Sequence, residues 1–157
     1  MPPRDVQTKD VQTNIPPAIL EHPVMSLFSF LLSAIASMLF GALYYGALKR
    51  PWLAQLENPA LAQTRSAQPL TYVFAITAQL AISLHIEWLF SLVDSHFGLG
   101  PGGLIPLLCF NWICLILAPL AMNYRFQGRP LPLMLIDGGF WFGAIAVQTA
   151  VKLAFYL

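Results

Sequence analysis

The sequence predicts an all-α integral membrane protein, a bundle of four transmembrane helices with both termini on the outer side. Three observations carry this reading. Of the 157 residues, 57% are hydrophobic and 10% are charged, whereas about a quarter of a soluble domain is charged. The apolar residues gather in four segments, 24–48, 70–93, 103–124 and 131–157. Each supplies the roughly 20 residues needed to cross a hydrocarbon core about 30 Å thick. Finally, Lys and Arg collect in alternate connections between these segments.

Residues 1–23 precede the membrane domain, 24–157. They are polar and rich in proline (Pro2, Pro3, Pro16, Pro17, Pro23), with Asp5-Val6-Gln7-Thr8 repeated as Asp10-Val11-Gln12-Thr13. Such a segment lacks the apolar surface needed to offset ordering, so it is expected to be a disordered tail. Ala34-Ile35-Ala36 has the small-residue pattern of a cleavage site. The long, weakly basic stretch before it argues instead that the first segment is retained as a helix.

Backbone groups in hydrocarbon find no water to bond, so each segment must be a helix or part of a closed barrel. Continuous apolar runs without strict alternation select helices. The first carries Ser29, Ser33, Ser37 and Gly41 at a spacing of four, a groove of small residues suited to close helix packing. Gly139 and Gly143 repeat that spacing in the fourth. In the third, interior Pro119 is expected to kink the helix about one turn earlier.

Topology follows from the connections. The polar segment 49–69 holds Lys49, Arg50 and Arg65, and the basic turn 125–130 holds Arg125 and Arg129. Four crossings put both on one side. The positive-inside rule makes that side cytoplasmic, in the cell inner membrane. The intervening 94–102 stretch has no Lys or Arg and reads as a glycine-rich turn. Tyr44, Tyr45, Tyr72 and Tyr124 fall at the expected cytoplasmic helix ends, as amphipathic rings do at headgroup level.

Polar groups inside the spans must face the bundle interior, because a charge at mid-membrane costs at least about 2.5–3.5 kcal/mol. Gln79, Ser83 and Glu87 share one face of the second helix, and Asp137, Gln148 and Lys152 share one face of the fourth. Asn111 lies mid-way along the third. Glu87 and Lys152 sit at similar depth and are expected to pair. Asp137 lies within a few residues of the basic turn, in possible reach of Arg125 or Arg129. These groups read either as struts that fix helix register or as a path running Asp137–Asn111–Gln79–Glu87. His85, two residues from Glu87, points to the other side of its helix and reads as a partly exposed group near the headgroups.

The chemistry-bearing motifs are sparse. Cys109 and Cys114 read as small buried hydrophobes, and no ligand set has metal-site spacing. No nucleophile constellation or phosphate loop stands out. A net charge of +1 gives no basic patch for nucleic acid. The expectation is a non-enzymatic protein without cofactor, whose partners are the lipid bilayer and other membrane subunits or copies of itself. The leading function is a non-catalytic subunit or scaffold that packs against partner membrane helices. The alternative is a small transporter or proton/ion pathway through the intramembrane polar residues.

Three motifs carry a family resemblance: Gly41-Ala42-Leu43-Tyr44-Tyr45-Gly46 with Trp52 beyond it, Asn123 to Arg129 (Asn-Tyr-Arg-Phe-Gln-Gly-Arg), and Ile136-Asp137-Gly138-Gly139-Phe140. Across about Leu27 to Phe155 the chain resembles a bacterial membrane family known as domain of unknown function 1761. Tyr44 departs from the Trp-Tyr of the family pattern, and Phe140 stands where Tyr is common. The resemblance implies a four-helix membrane protein of no established activity. It directs attention to Tyr45, Trp52, Asn123, Arg129 and Asp137.

Overall fold

The computed structural model describes residues 23–98 and 100–156, with side chains from Leu27 onward except at 94, 95, 100, 101 and 156. The tail expected to be disordered therefore lies outside the described residues, except Pro23, which opens the first helix. In chain order the elements are α1 (Pro23–Ala47), α2 (Lys49–Leu53), α3 (Pro59–Ser66), α4 (Pro69–Phe97), α5 (Gly100–Asn111), a π-helical segment (Trp112–Leu117), α6 (Ala118–Phe126) and α7 (Leu131–Tyr156). Among the described residues, four stretches are long and apolar enough to cross a membrane: Leu27–Ala47, Pro69–Val93, Gly102–Phe126 and Leu131–Phe155.

Local chemistry sets the boundaries. The 49–69 connection, expected as a polar loop, contains two short helices. Asn58 caps the second of them, accepting from Leu61 N–H at 3.0 Å, and Pro59 follows in the first turn, where its missing N–H costs nothing. The glycine-rich turn is shorter than expected. Gly98 turns the chain at φ +58°, and Gly100 is already helical. Gly128 makes the other reversal at φ +67°. Only a residue without Cβ takes these angles cheaply.

The kink near Pro119 takes a specific form. Proline cannot donate to the carbonyl four residues back, and the helix loosens into π geometry over Trp112–Leu117. At its end the Ala118 N–H bonds to Ile113 O, five residues back.

α1 packs between α4 and α7, and α4 continues onto α5. α7 touches α1, α4, α6 and the π segment. The burial pattern is the reverse of a water-soluble fold. Ser33, Ser37, Ser83 and Gln148 are 0% exposed, while Leu43 is 74% and Phe74 69% exposed. Apolar rings outside and amides inside are stable only when the surrounding solvent is hydrocarbon.

One polar ladder links α1, α4 and α7. Ser33 Oγ lies 2.8 Å from Ser83 Oγ. Ser37 donates to Gln79 Oε1 at 2.7 Å, and Gln148 Nε2 donates to the same oxygen at 2.8 Å. A step of four on α1 meets a step of four on antiparallel α4, so this register brings Ser29 to the level of Glu87. Lys152 of α7 pairs with Glu87 there. The serine stripe thus finds its neighbouring helix within this chain.

The glycines serve a different purpose. They make room for aromatic rings rather than for a neighbouring backbone. A Cβ on Gly41 would stand 3.0 Å from the Phe140 ring, and one on Gly139 would stand 2.7 Å from Tyr44 Oη. At Gly143 a Cβ would overlap three atoms of the Phe40 ring. Gly143→Ala is therefore expected to destabilise the bundle by about 1–3 kcal/mol through overpacking, read by thermal unfolding in detergent. Wild-type stability in this variant would show that Phe40 moves aside freely.

Candidate functional site

Asp137 lies at the end of the second turn of α7, and three elements converge on its carboxylate. Tyr45, at the end of α1, donates to Oδ1 at 2.8 Å. Trp52 of α2 donates from Nε1 to the same oxygen at 3.1 Å. Tyr124 of α6 donates to Oδ2 at 2.5 Å. Hydrogen bonds to a charged group contribute about 1.5–3 kcal/mol each. Three of them together, up to about 9 kcal/mol, more than offset an insertion cost of about 2.5–3.5 kcal/mol, so Asp137 is held at the membrane edge with no cationic partner among the described residues.

The expected approach of Arg125 or Arg129 to this carboxylate is not what the structure contains. The two phenols and the indole occupy the places a guanidinium would need. Arg129 instead lies over the Tyr124 ring, 5.3 Å from its centroid. A cation stacked on a hydrogen-bonded phenol adds a modest attraction.

Around the carboxylate the aromatics interlock. Tyr45 meets Trp52 edge-to-face at 5.7 Å between centroids and Phe140 at 5.1 Å. Tyr44 donates to Ile136 O at 2.9 Å, so both tyrosines of the first motif anchor α1 to α7. Trp112, in the π segment, donates to Gly138 O at 3.1 Å. The buried Gly138 admits Leu117 and Leu120 against it. Backbone carbonyls of one helix turn thus receive donors from both flanking helices.

Of the residues singled out in the sequence, the structure brings Tyr45, Trp52 and Asp137 into one hydrogen-bonded cluster, with Arg129 on its rim. Asn123 is exposed, one residue before Tyr124. Gln79, Gln148, Glu87 and Lys152 belong to the ladder nearer the opposite end of the bundle. Asn111 joins neither group. Its amide donates to Leu107 O at 2.9 Å, and with the exposed His85 it lines an apolar cleft between α4 and α5. Among the described residues no side-chain hydrogen bond connects Asp137 to Asn111 or Asn111 to Gln79. A layer of Phe40, Tyr44 and Phe140 stands between the Asp137 cluster and the ladder. Tyr124 is the residue that sequence reasoning assigned to the aromatic belt and overlooked as a site member. Its place in the Asn123–Arg129 motif was the available signal.

A family model described as "Protein of unknown function (DUF1761)" matches residues 28–152. The chain belongs to this family. The match spans all four membrane helices, so the DUF1761 unit here is the bundle itself. No curated protein and no solved structure matches the chain. In this DUF1761 member the three sequence motifs meet at one end of the bundle, because the first lies at the end of α1, the second at the end of α6 and the third at the start of α7.

The arrangement also limits the chemistry. Asp137 Oδ1 already accepts two hydrogen bonds and Oδ2 one, so the carboxylate acts as a hub for neutral donors. By tying Trp52 to α7, it fixes the polar 49–69 connection onto the membrane domain.

Proposed function

We propose that this chain is a non-catalytic membrane subunit or scaffold in the cell inner membrane, packing against partner membrane helices or a second copy of itself. One observation supports this above others. Within the spans Ser33, Ser37, Gln79, Ser83 and Gln148 turn inward and bond to one another, so most of the bundle's outer face is apolar. Helices in lipid associate through packing and a few hydrogen bonds rather than through burial from water. A bundle whose inward polar residues are tied to one another across α1, α4 and α7 is suited to such contacts. The basic 49–69 and 125–130 connections share one end, which we assign to the cytoplasm.

Gentle solubilisation followed by identification of what copurifies tests the reading. A stoichiometric membrane protein partner or a defined homo-oligomer is expected. A monomer carrying a small solute and supporting gradient-driven flux in proteoliposomes would overturn it. One-sided labelling of cysteines placed at 65 and 129 is expected to modify both from the cytoplasmic side.

A second reading, a small proton or ion pathway, draws on Gln148 Oε1, which is buried without a hydrogen-bond partner among the described residues. A vacant acceptor beside the Glu87–Lys152 pair is suited to a visiting proton or ion. The interruption between Asp137 and the ladder weighs against a path across the whole bundle.

A further inference from the structure

The groove beside the Asp137 cluster has a chemistry of its own. It is a cleft of about 420 Å³ between the α2–α3 segment and the Gln127–Pro130 turn. Arg65 enters from α3 and Arg129 from the turn, while Trp52, Leu56 and Leu61 form an apolar wall above the buried Leu133. Among the described residues no carboxylate lies within ion-pair distance of either guanidinium. Glu57 also borders the groove, leaving its formal charge at +1.

Depth decides what such a groove meets. Leu133 lies two residues into the span that begins at Leu131, and Arg129 lies three residues after the span ending at Phe126. The cleft therefore opens at the level where acyl chains give way to headgroups. An arginine pair presents forked N–H donors to phosphate oxygens. Arg129 is further oriented by the Tyr124 ring beneath it, and Tyr124 is held by Asp137. A lone soluble anion would use the arginines and leave the apolar wall unused.

We propose that this groove binds the phosphodiester of an acidic phospholipid headgroup, with Arg65 and Arg129 on the phosphate and the proximal acyl chain against Leu56 and Leu61. Trp52 borders the site and is tied to Asp137, so the part of the emission change lost in Trp52→Phe reports occupancy. The site is independent of whether the bundle has a protein partner.

The test uses the full chain in neutral detergent, titrated with short-chain phosphatidylglycerol, short-chain phosphatidylcholine or inorganic phosphate, reading tryptophan emission and bound lipid by native mass spectrometry. Phosphatidylglycerol is expected to bind saturably and phosphatidylcholine much more weakly. Arg65→Gln and Arg129→Gln are each expected to weaken phosphatidylglycerol by about tenfold, whereas Arg50→Gln, which removes a charge outside the groove, leaves it unchanged. Arg65 is exposed and no side-chain bond of its own holds the fold, so its variant reads binding even if Arg129→Gln loosens the bundle. Wild-type affinity in Arg65→Gln, or an equal loss in Arg50→Gln, would overturn the site. Inorganic phosphate that saturates the groove and displaces the lipid at similar concentration would overturn the lipid assignment.

Discussion

Asp137→Ala is expected to lower the stability of the bundle by about 3–5 kcal/mol, because it strands three donors at once. Tyr45, Trp52 and Tyr124 all direct their hydrogens at this carboxylate. Removing an acceptor while leaving its donors in place costs more than removing the whole interaction. Asp137→Asn separates charge from geometry. It keeps one acceptor oxygen but turns an amide N–H₂ toward one side of the cluster, so an intermediate loss is expected. The measurement is thermal or denaturant unfolding in detergent, with Trp52 emission as a local reporter in a background where Trp88, Trp112 and Trp141 are Phe. If the hub holds α2 onto α7, emission in Asp137→Ala shifts as the indole loses its acceptor. A stability within about 0.5 kcal/mol of wild type would show that this carboxylate is not a structural centre.

The Glu87–Lys152 pair yields the second large effect, a loss of stability when either partner is removed alone. Side-chain exposure is 7% for Lys152 and 38% for Glu87. Glu87→Gln leaves an ammonium enclosed by α1 and α4 with its strongest partner gone, which costs about 3–5 kcal/mol in comparable buried pairs. Lys152→Met leaves a carboxylate less covered by protein but still within the span, six residues before its end at Val93, so it too is costly. The double variant Glu87→Gln/Lys152→Met is expected to regain most of the loss, since it leaves no unpaired charge in the span. Wild-type stability in either single variant would contradict this account. Reconstitution of Glu87→Gln adds a functional arm. A folded variant that has lost a gradient response present in wild type supports the pathway reading, whereas loss of the folded protein alone supports the strut.

Much of the architecture was legible because membranes simplify the problem. Hydrocarbon demands an apolar run of a certain length and a backbone that bonds to itself, and both requirements are local. Hence the helices beginning near 24, 70, 103 and 131 were located to within a few residues of Pro23, Pro69, Gly100 and Leu131. The π segment before Pro119 was announced by the proline, which removes one donor from the helix ladder. Less was visible in the 49–69 connection, where α2 and α3 are too short for periodicity to reveal and only the Asn58–Pro59 start signal is local.

Three residues of the cluster, Tyr45, Trp52 and Asp137, stood out in the sequence motifs, but neither Tyr124 as a member nor the wiring did. Asp137 and the arginines stood close in sequence, which made an ion pair the natural expectation. The partners it found, Tyr45, Trp52 and Tyr124, come from α1, α2 and α6 and meet only because those elements end at the same end of the bundle. Likewise the stripes on α1, α4 and α7 were each readable from helical spacing. That Ser33 meets Ser83, and that Ser37 and Gln148 share Gln79, depends on the relative rotation and register of three helices. The sequence by itself determined the spanning helices and which residues are too polar to face lipid, since these follow from the solvent and the 3.6-residue turn. Which of those residues bond to each other was decided by tertiary packing alone, because hydrogen bonds act over about 3 Å and no spacing along one helix sets the distance to another.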